Sequence, residues 1–436
     1  MKTLSRFAVI PVLAIAACTS KALAKPDPDP TWRPAIELLL RGFEQHPLVA
    51  VSDGAGHGQL ETRDFFAALV RDRRLARTVQ NLVIEFGNAR YQAVLDRYIA
   101  GGLVTRDELR HVWEDTTQIS GVWSLPMYEQ MLAEVRTVNE ALPPATRIRV
   151  IAGDPPIDWS AVASPADEDM NDWRDAHVAH VIEHEVMRRG ERALILMGGA
   201  HISRNVMFPN SLIHLLDRRF PGQTWVAAVL DLERVEPEIS RRFEASRAPA
   251  GTSVRDTWLG RLKVQRIGFN LSIGDVEDNV DALLLLSSSR LHVQAPIPLD
   301  PPYARELMRR RALAEATLPF RGAKIRFKER VAEFEADAEG PLQAVLSELQ
   351  HDRGLHVLVK AFADGTEFDA DALSLQRATL VVDWLTARGV ERDRLRPRGC
   401  GARRPLTLGN TAPERAMNRR AELVRLAPTA GCEPPW

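Results

Sequence analysis

The strongest constraint on this chain is a pattern that recurs along its N-terminal part: a short apolar run that breaks at its carboxyl end into glycine and an ionisable residue. The stretch VAVSDGAGHG, from Val49 to Gly58, is the fullest case. A run of this kind reads as a buried strand, and Gly54, Gly56 and Gly58 permit a sharp turn that lifts the His57 side chain above the sheet edge. NLVIEFGN carries Glu85, RIRVIAGD ends on Asp154, and ALILMGGAH ends on a double glycine and His201. Apolar runs at Val49–Ser52, Leu82–Phe86, Ile148–Ala152, Ala193–Met197, Trp225–Leu230 and Ala282–Leu286 alternate with helix signals. That alternation predicts an α/β fold, an open and mostly parallel sheet with helices on both faces.

In such a sheet the carboxyl ends of the strands face the ligand crevice, so residues just past the runs tend to converge. His57, Glu85, Asp154 and His201 are therefore the candidate catalytic residues, with Asp53 close by in sequence. Two imidazoles and paired carboxylates suit either a divalent metal site, with His57, Glu85 and His201 as candidate ligands, or metal-free acid/base hydrolysis. A second cluster, His177, His180 and His184 in DAHVAHVIEHEV, falls on one helical face. It lacks the zincin spacing, because Arg188 stands where a second histidine would follow His184-Glu185, and a partly exposed helix face is the simpler reading. No G-x-S-x-G elbow, phosphate loop or dinucleotide glycine fingerprint is present, which argues against serine hydrolases, nucleotide hydrolases and nicotinamide enzymes.

A chain of 436 residues with 45% hydrophobic and 26% charged residues is globular and has room for two or three domains. Its formal net charge of -1 and the lack of a basic stripe argue against nucleic acid as a partner. Lys2 and Arg6 precede an apolar run from Phe7 to Ala17, the shape of a signal peptide, so residues 1–24 are expected to direct export. Cleavage is expected before Cys18, which would then be lipidated and anchored to the outer membrane, or after Ala24 in Ala22-Leu23-Ala24. KPDPDP, Lys25 to Pro30, is a stiff spacer. In an oxidising periplasm the remaining cysteines, Cys400 and Cys432, are expected to pair, for about 3–4 kcal/mol of stability. Arg309-Arg310-Arg311 reads as a solvated helix face ahead of a linker at 313–319.

Residues 32–312 resemble the erythromycin-esterase-like proteins, and through them the ChaN and TIKI/TraB group with its paired G-x-x-H motifs. The resemblance is carried by VAVSDGAGHG, Glu85 in VIEFGNARYQ, Trp123 through Asn139 in VWSLPMYEQMLAEVRTVN, Asp154 in AGDPPID, Arg174-Asp175, and GGAH at Gly198–His201. It implies that His57 acts as general base or metal ligand with Glu85 and His201 beside it. The esterase-like pattern has a glutamate three residues before the first histidine; here that position is Gly54, and Asp53 lies one place earlier.

From Ile325 the pattern changes to IRF, a helix around Leu342–Leu349, the strand LHVLVKAFAD, the helix ALSLQRATLVVDWLTARGV, and then GCGARRP and NRRAELV. This resembles the OmpA-like peptidoglycan-binding domain over residues 320–427, an α+β unit of order βαβαββ, with 428–436 as a tail. The diaminopimelate of a cell-wall peptide carries an ammonium and carboxylates, so its binder needs an acid and a guanidinium at a fixed separation. The resemblance implies Asp364 and Arg377 in those roles, with Arg419 in support. Ala363 and Ala370 depart from the family's threonine and asparagine, and the loop after Asp364 is shorter than the family's.

Together these features predict an exported protein of a Gram-negative-type envelope, held to peptidoglycan by its C-terminal module and carrying an esterase-like domain that hydrolyses an ester or amide. The alternative is a non-catalytic envelope protein whose N-terminal domain binds haem, a metal or a partner.

Overall fold

The computed structural model describes residues 28–54, 56–162, 174–205, 211–243, 247–315, 324–402, 405–406 and 411–425. Cys18, the Ala22–Ala24 site, most of the expected linker, Cys432 and the tail lie outside the described residues.

The N-terminal part is built on one eight-stranded sheet: β1 (Arg33–Pro34), β2 (Leu48–Ser52), β3 (Asn81–Asn88), β4 (Arg149–Asp154), β5 (Ala193–Met197), β6 (Thr224–Val229), β7 (Ala250–Ser253) and β8 (Ala282–Leu285). Their order across the sheet is β1-β7-β8-β6-β2-β5-β3-β4. Each of the six apolar runs forms a strand, and those six pair in parallel. The runs are apolar throughout because both sheet faces are covered. Val49, Val51, Leu82 and Ile84 join one core with residues of the helices Ala35–Gln45, Leu60–Arg71 and Pro126–Glu140. Leu48, Ala50, Val83 and Ile195 face the opposite core, against Arg174–Glu185 and Leu212–Arg219.

Two further strands complete one side of the sheet: β7 runs antiparallel to β8, and β1 pairs antiparallel to β7 at the edge. The sequence AGTS of β7 offers no apolar run; it is buried because Gly251 admits Leu38 and Leu284, whose Cδ2 atoms would lie 2.6 and 2.7 Å from a Cβ there.

The arginine triplet is a correction to the solvated-face reading. It lies on the helix Pro301–Glu315, and Arg310 is buried. Arg310 pairs with Asp115 at 2.6 Å and Glu306 at 2.9 Å and donates to the Glu114 carbonyl at 2.8 Å. Arg309 donates to the carbonyls of Trp159 and Val162, and Arg311 to those of Ile119 and Ser120. The charges are needed because the helix docks on irregular segments whose carbonyls have no ladder partner.

The C-terminal module has its own sheet, β9 (Ile325–Arg326), β10 (Val357–Ala361), β11 (Leu395–Gly399) and β12 (Arg420–Arg425), in the order β11-β10-β12-β9. Only β10 and β11 run parallel. The helices Glu339–His351 and Ala370–Thr386 supply its core, and Leu373, Ala378, Val381, Val382 and Leu385 are all buried. A short helix, Ala412–Asn418, separates the last two strands where the sequence pattern runs strand to strand. Its capping box of Thr411 and Glu414, with proline in the first turn, is the local cause. No helix among the described residues is long and apolar enough to cross a membrane.

Candidate active site

The candidate residues of the N-terminal domain come from four neighbouring strands, β2-β5-β3-β4. Asp53 and His57 follow β2, Gly198 and His201 follow β5, Glu85 lies in the second half of β3, and Asp154 ends β4. Glu85 sits at an irregularity in the β3–β4 register, the kind of feature that re-aims a side chain.

Two imidazole–carboxylate dyads face one central acid. His57 Nδ1 lies 2.7 Å from Asp53 Oδ2, and His201 Nδ1 lies 2.5 Å from Asp175 Oδ1. Their Nε2 atoms point to the same oxygen, Glu85 Oε1, at 4.0 and 3.3 Å. Behind Glu85, Arg174 pairs with that oxygen at 3.1 Å and with Asp154 at 2.9 Å. Asp154 also accepts from the Thr117 amide and hydroxyl at 2.6 and 2.7 Å, so its place is to fix Arg174 rather than to meet a ligand. Glu85 and Asp154 are buried, whereas the His57 and His201 side chains keep 23% and 22% exposure. The imidazoles are therefore the groups that reach the cleft, a cavity of about 280 Å³ also lined by Ser52, Arg234 and Phe269.

Two glycines make this geometry possible. Gly54 has φ 118°, and a Cβ there would lie 1.5 Å from Gln59 Oε1. No acid fits at that position, and the turn instead brings Asp53 under His57. Gly198 donates its N–H to Glu85 Oε2 at 2.5 Å, an approach that a side chain would block, since its Cβ would lie 2.9 Å from His57 Cε1. The turn after β2 is held by Tyr128, whose hydroxyl accepts from the Gly58 N–H at 2.9 Å. Trp123 packs edge-on against the His57 ring with centroids 4.4 Å apart, fixing its orientation.

The charges follow from this arrangement. Burial opposes a charge on His201, but Asp175 and Glu85 outweigh it and push its pKa up to about 10. Burial likewise opposes a charge on His57, and Asp53 still raises it above the ordinary value of 6.5. Burial would lift the Glu85 carboxyl, yet His201 and Arg174 hold it far below the usual range. Burial raises Asp154 to about 6 against the pull of Arg174. At neutral pH the site thus holds an imidazolium at His201 beside an ionised Glu85 and Arg174.

Donor atoms of Asp53, His57 and Glu85 lie within 4.8 Å of one another, so the metal expectation can be weighed. A divalent ion on this set would compete with the cationic groups that the chain already places there. Glu85 Oε1, where ligands would converge, already faces the Arg174 guanidinium and the His201 imidazolium, Glu85 Oε2 holds the Gly198 amide, and Asp53 Oδ2 holds His57. The positive charge is supplied by the chain itself. Arg174 and Asp175, which enter the sequence reading only as part of a resemblance, complete the site. The helix that supplies Arg174 and Asp175 also carries the three histidines, none of which lines the cleft: His177 is buried with its pKa pushed down to about 3, and His184 Nδ1 lies 2.9 Å from the His180 carbonyl oxygen.

In the C-terminal module Asp364 and Arg377 are neighbours, but each has its own partner. Asp364 Oδ2 accepts from Arg419 at 3.1 Å, and its Oδ1 accepts from the Thr366 amide and hydroxyl at 2.9 and 2.5 Å. Burial would raise the Asp364 carboxyl, yet these hydrogen bonds and the Arg419 charge bring it below its usual value. Arg377 is bound in both arms by Glu367, a residue the sequence pattern does not single out. Cys400 is buried and disulfide-bonded, its partner lying outside the described residues.

Residues 326–419 match the profile of the OmpA family. Peptidoglycan-binding protein ArfA, from Mycobacterium bovis and from Mycobacterium tuberculosis, is 36% identical over 85 residues, which is 19% of this chain. The match spans 26% of the length of those relatives. Among solved structures, the peptidoglycan-associated lipoprotein of Burkholderia pseudomallei is 25% identical, covering 24% of this chain and 89% of its own, with a TM-score of 0.23. A Bacillus cereus protein is 11% identical, covering 60% of this chain and 93% of its own, with a TM-score of 0.44. The C-terminal module, by its match over residues 326–419, is OmpA-like.

Proposed function

We propose that this chain is an exported envelope protein whose C-terminal module holds peptidoglycan and whose N-terminal domain hydrolyses an ester or amide bond without a metal. The observation that carries the hydrolase reading is the Asp53–His57 dyad: Nδ1 is anchored on a carboxylate, and Nε2 opens to the cleft opposite a charged His201. Asp53 fixes the tautomer that leaves Nε2 as the base. A water proton passes to His57 Nε2 as the water oxygen attacks the carbonyl carbon. His201 Nε2 gives its proton to the departing alkoxide or amine as that bond breaks, and Glu85 and Arg174 hold the two rings and balance their charge. The erythromycin-esterase resemblance implies His57 as general base or metal ligand with Glu85 and His201 beside it, and Asp53 would stand in for the family's glutamate.

The pH dependence follows in sign. His57 must be neutral to accept a proton, so kcat/KM is expected to rise with pH along a limb above 6.5, and to fall near pH 10 as His201 loses its proton. Asp53→Asn removes the charge that raises His57 and is expected to move the first limb to lower pH and lower the plateau. A first limb unmoved in this variant would remove Asp53 from the role.

The anchoring reading rests on the OmpA-family match and on the acid and guanidinium at one end of β10. Asp364→Ala is expected to abolish co-sedimentation of the full chain with purified diaminopimelate-containing sacculi; unchanged co-sedimentation would remove Asp364 from binding. Export, lipidation at Cys18 and an outer-membrane or periplasmic site belong to the same proposal and rest on the sequence alone; a Cys400–Cys432 bond belongs to it too and is supported by the disulfide at Cys400.

A further inference from the structure

The carboxylate cradle of the C-terminal module is complete without a ligand, and the carboxylate in it belongs to the chain. Arg377 is fully buried, and its two arms grip Glu367: Nη1 donates to Oε2 at 2.7 Å and Nη2 to Oε1 at 2.6 Å. Two backbone amides finish the cradle, Asp364 N donating to Oε2 at 3.0 Å and Arg330 N to Oε1 at 2.7 Å. Arg330 has φ 63°, a backbone conformation uncommon for a residue with a side chain. The other Arg377 N–H groups donate to the carbonyls of Lys328, Val331 and Phe362, so the guanidinium has no donor left over.

Glu367 lies on the short segment between Asp364 and the helix that starts at Ala370. Gly365, Thr366, Phe368 and Asp369 are exposed, Phe368 at 93%, and Glu367 alone points inward. Thr366 ties the start of the segment to Asp364 and Asp369 caps the helix that follows, and between them Glu367 is the side chain that reaches Arg377.

Resting on the reading that the module holds peptidoglycan, we infer that Glu367 sets its affinity. It fills the place that a cell-wall peptide's carboxylate takes on Arg377, and the peptide binds by displacing it. The exchange replaces one carboxylate with another, so the hydrogen bonds balance and the cost is that of opening the cradle. With the open form at about 1–10% of the population, apparent affinity is lowered about 10–100-fold relative to an empty cradle.

The test measures co-sedimentation of the full chain with purified diaminopimelate-containing sacculi over a range of protein concentrations. Wild type is compared with Glu367→Gln and Glu367→Ala, each checked for folding by circular dichroism. Glu367→Ala is expected to bind about tenfold tighter or more. Glu367→Gln, which keeps the shape but not the charge, is expected to fall between, and adding Arg377→Ala is expected to cancel the gain. Structural damage alone does not tighten binding. If wild type pellets and the folded variants bind no tighter, the inference fails and anchoring stands. If neither wild type nor the folded variants pellet, anchoring fails and takes the inference with it. Pelleting of the variants alone supports both. If the alanine variant does not fold, the glutamine variant decides.

Discussion

His57→Ala is expected to lower kcat/KM by about 10²–10⁴-fold on any ester or amide the wild type cleaves, the usual contribution of a positioned general base. The fold should survive, because His57 stands at the cleft with its side chain 23% exposed, and Asp53, whose carboxyl burial already pushes up, can take a proton once its partner is gone. The measurement is a rate panel of esters and peptides with both proteins, with and without chelator. Equal rates would exclude His57 from the chemistry. Activity lost on chelation would restore a metal against the donor-set argument.

The second large effect falls on stability. Glu85→Ala removes the counter-charge shared by His201 and Arg174. Arg174 keeps Asp154 and His201 keeps Asp175, so the loss is expected near the lower end of the range for a broken buried pair, about 3 kcal/mol. The pH dependence distinguishes this from simple cavity formation. His201 has a folded pKa of about 10 against 6.5 when unperturbed, so the stability from its charged form is full below 6.5 and is lost as pH rises through about 10. Part of that contribution comes from Glu85, so the penalty of Glu85→Ala, read by urea denaturation, should be larger at pH 6.5 than at pH 10. A penalty independent of pH would mean that His201 does not carry the charge assigned to it.

Much of this site is legible in the sequence, and the reasons for the remainder are local. Strand ends could be found because both sheet faces are covered, which makes each run apolar throughout, and the crevice rule then selects His57, Glu85, Asp154 and His201. The rule locates residues near the crevice without ranking them by depth. Asp154 and Glu85 are sealed behind the imidazoles, a difference set by how far past the strand each residue lies. Asp53 shows the limit of motif spacing, since a carboxylate one residue out of register still reaches His57 where Gly54 takes a positive φ. Arg174 and Asp175 begin a helix and carry no signal of their own beyond the resemblance. Composition also misreads Arg310, because a charge run says nothing about the carbonyls waiting for it. Glu367 is hidden for a related reason: only the course of a short loop turns its carboxylate inward.

Two carboxylate-anchored imidazoles share Glu85 at one crevice, one available as a base and the other held as a cation. Histidine side-chain NMR, titrated from pH 5 to pH 11 on the wild type and assigned with His57→Ala and His201→Gln variants, reads both states directly. His57 is expected to titrate above 6.5, and His201 to keep its proton until about pH 10. Two histidines titrating together near 6.5, with no effect of either variant on the other, would contradict this arrangement.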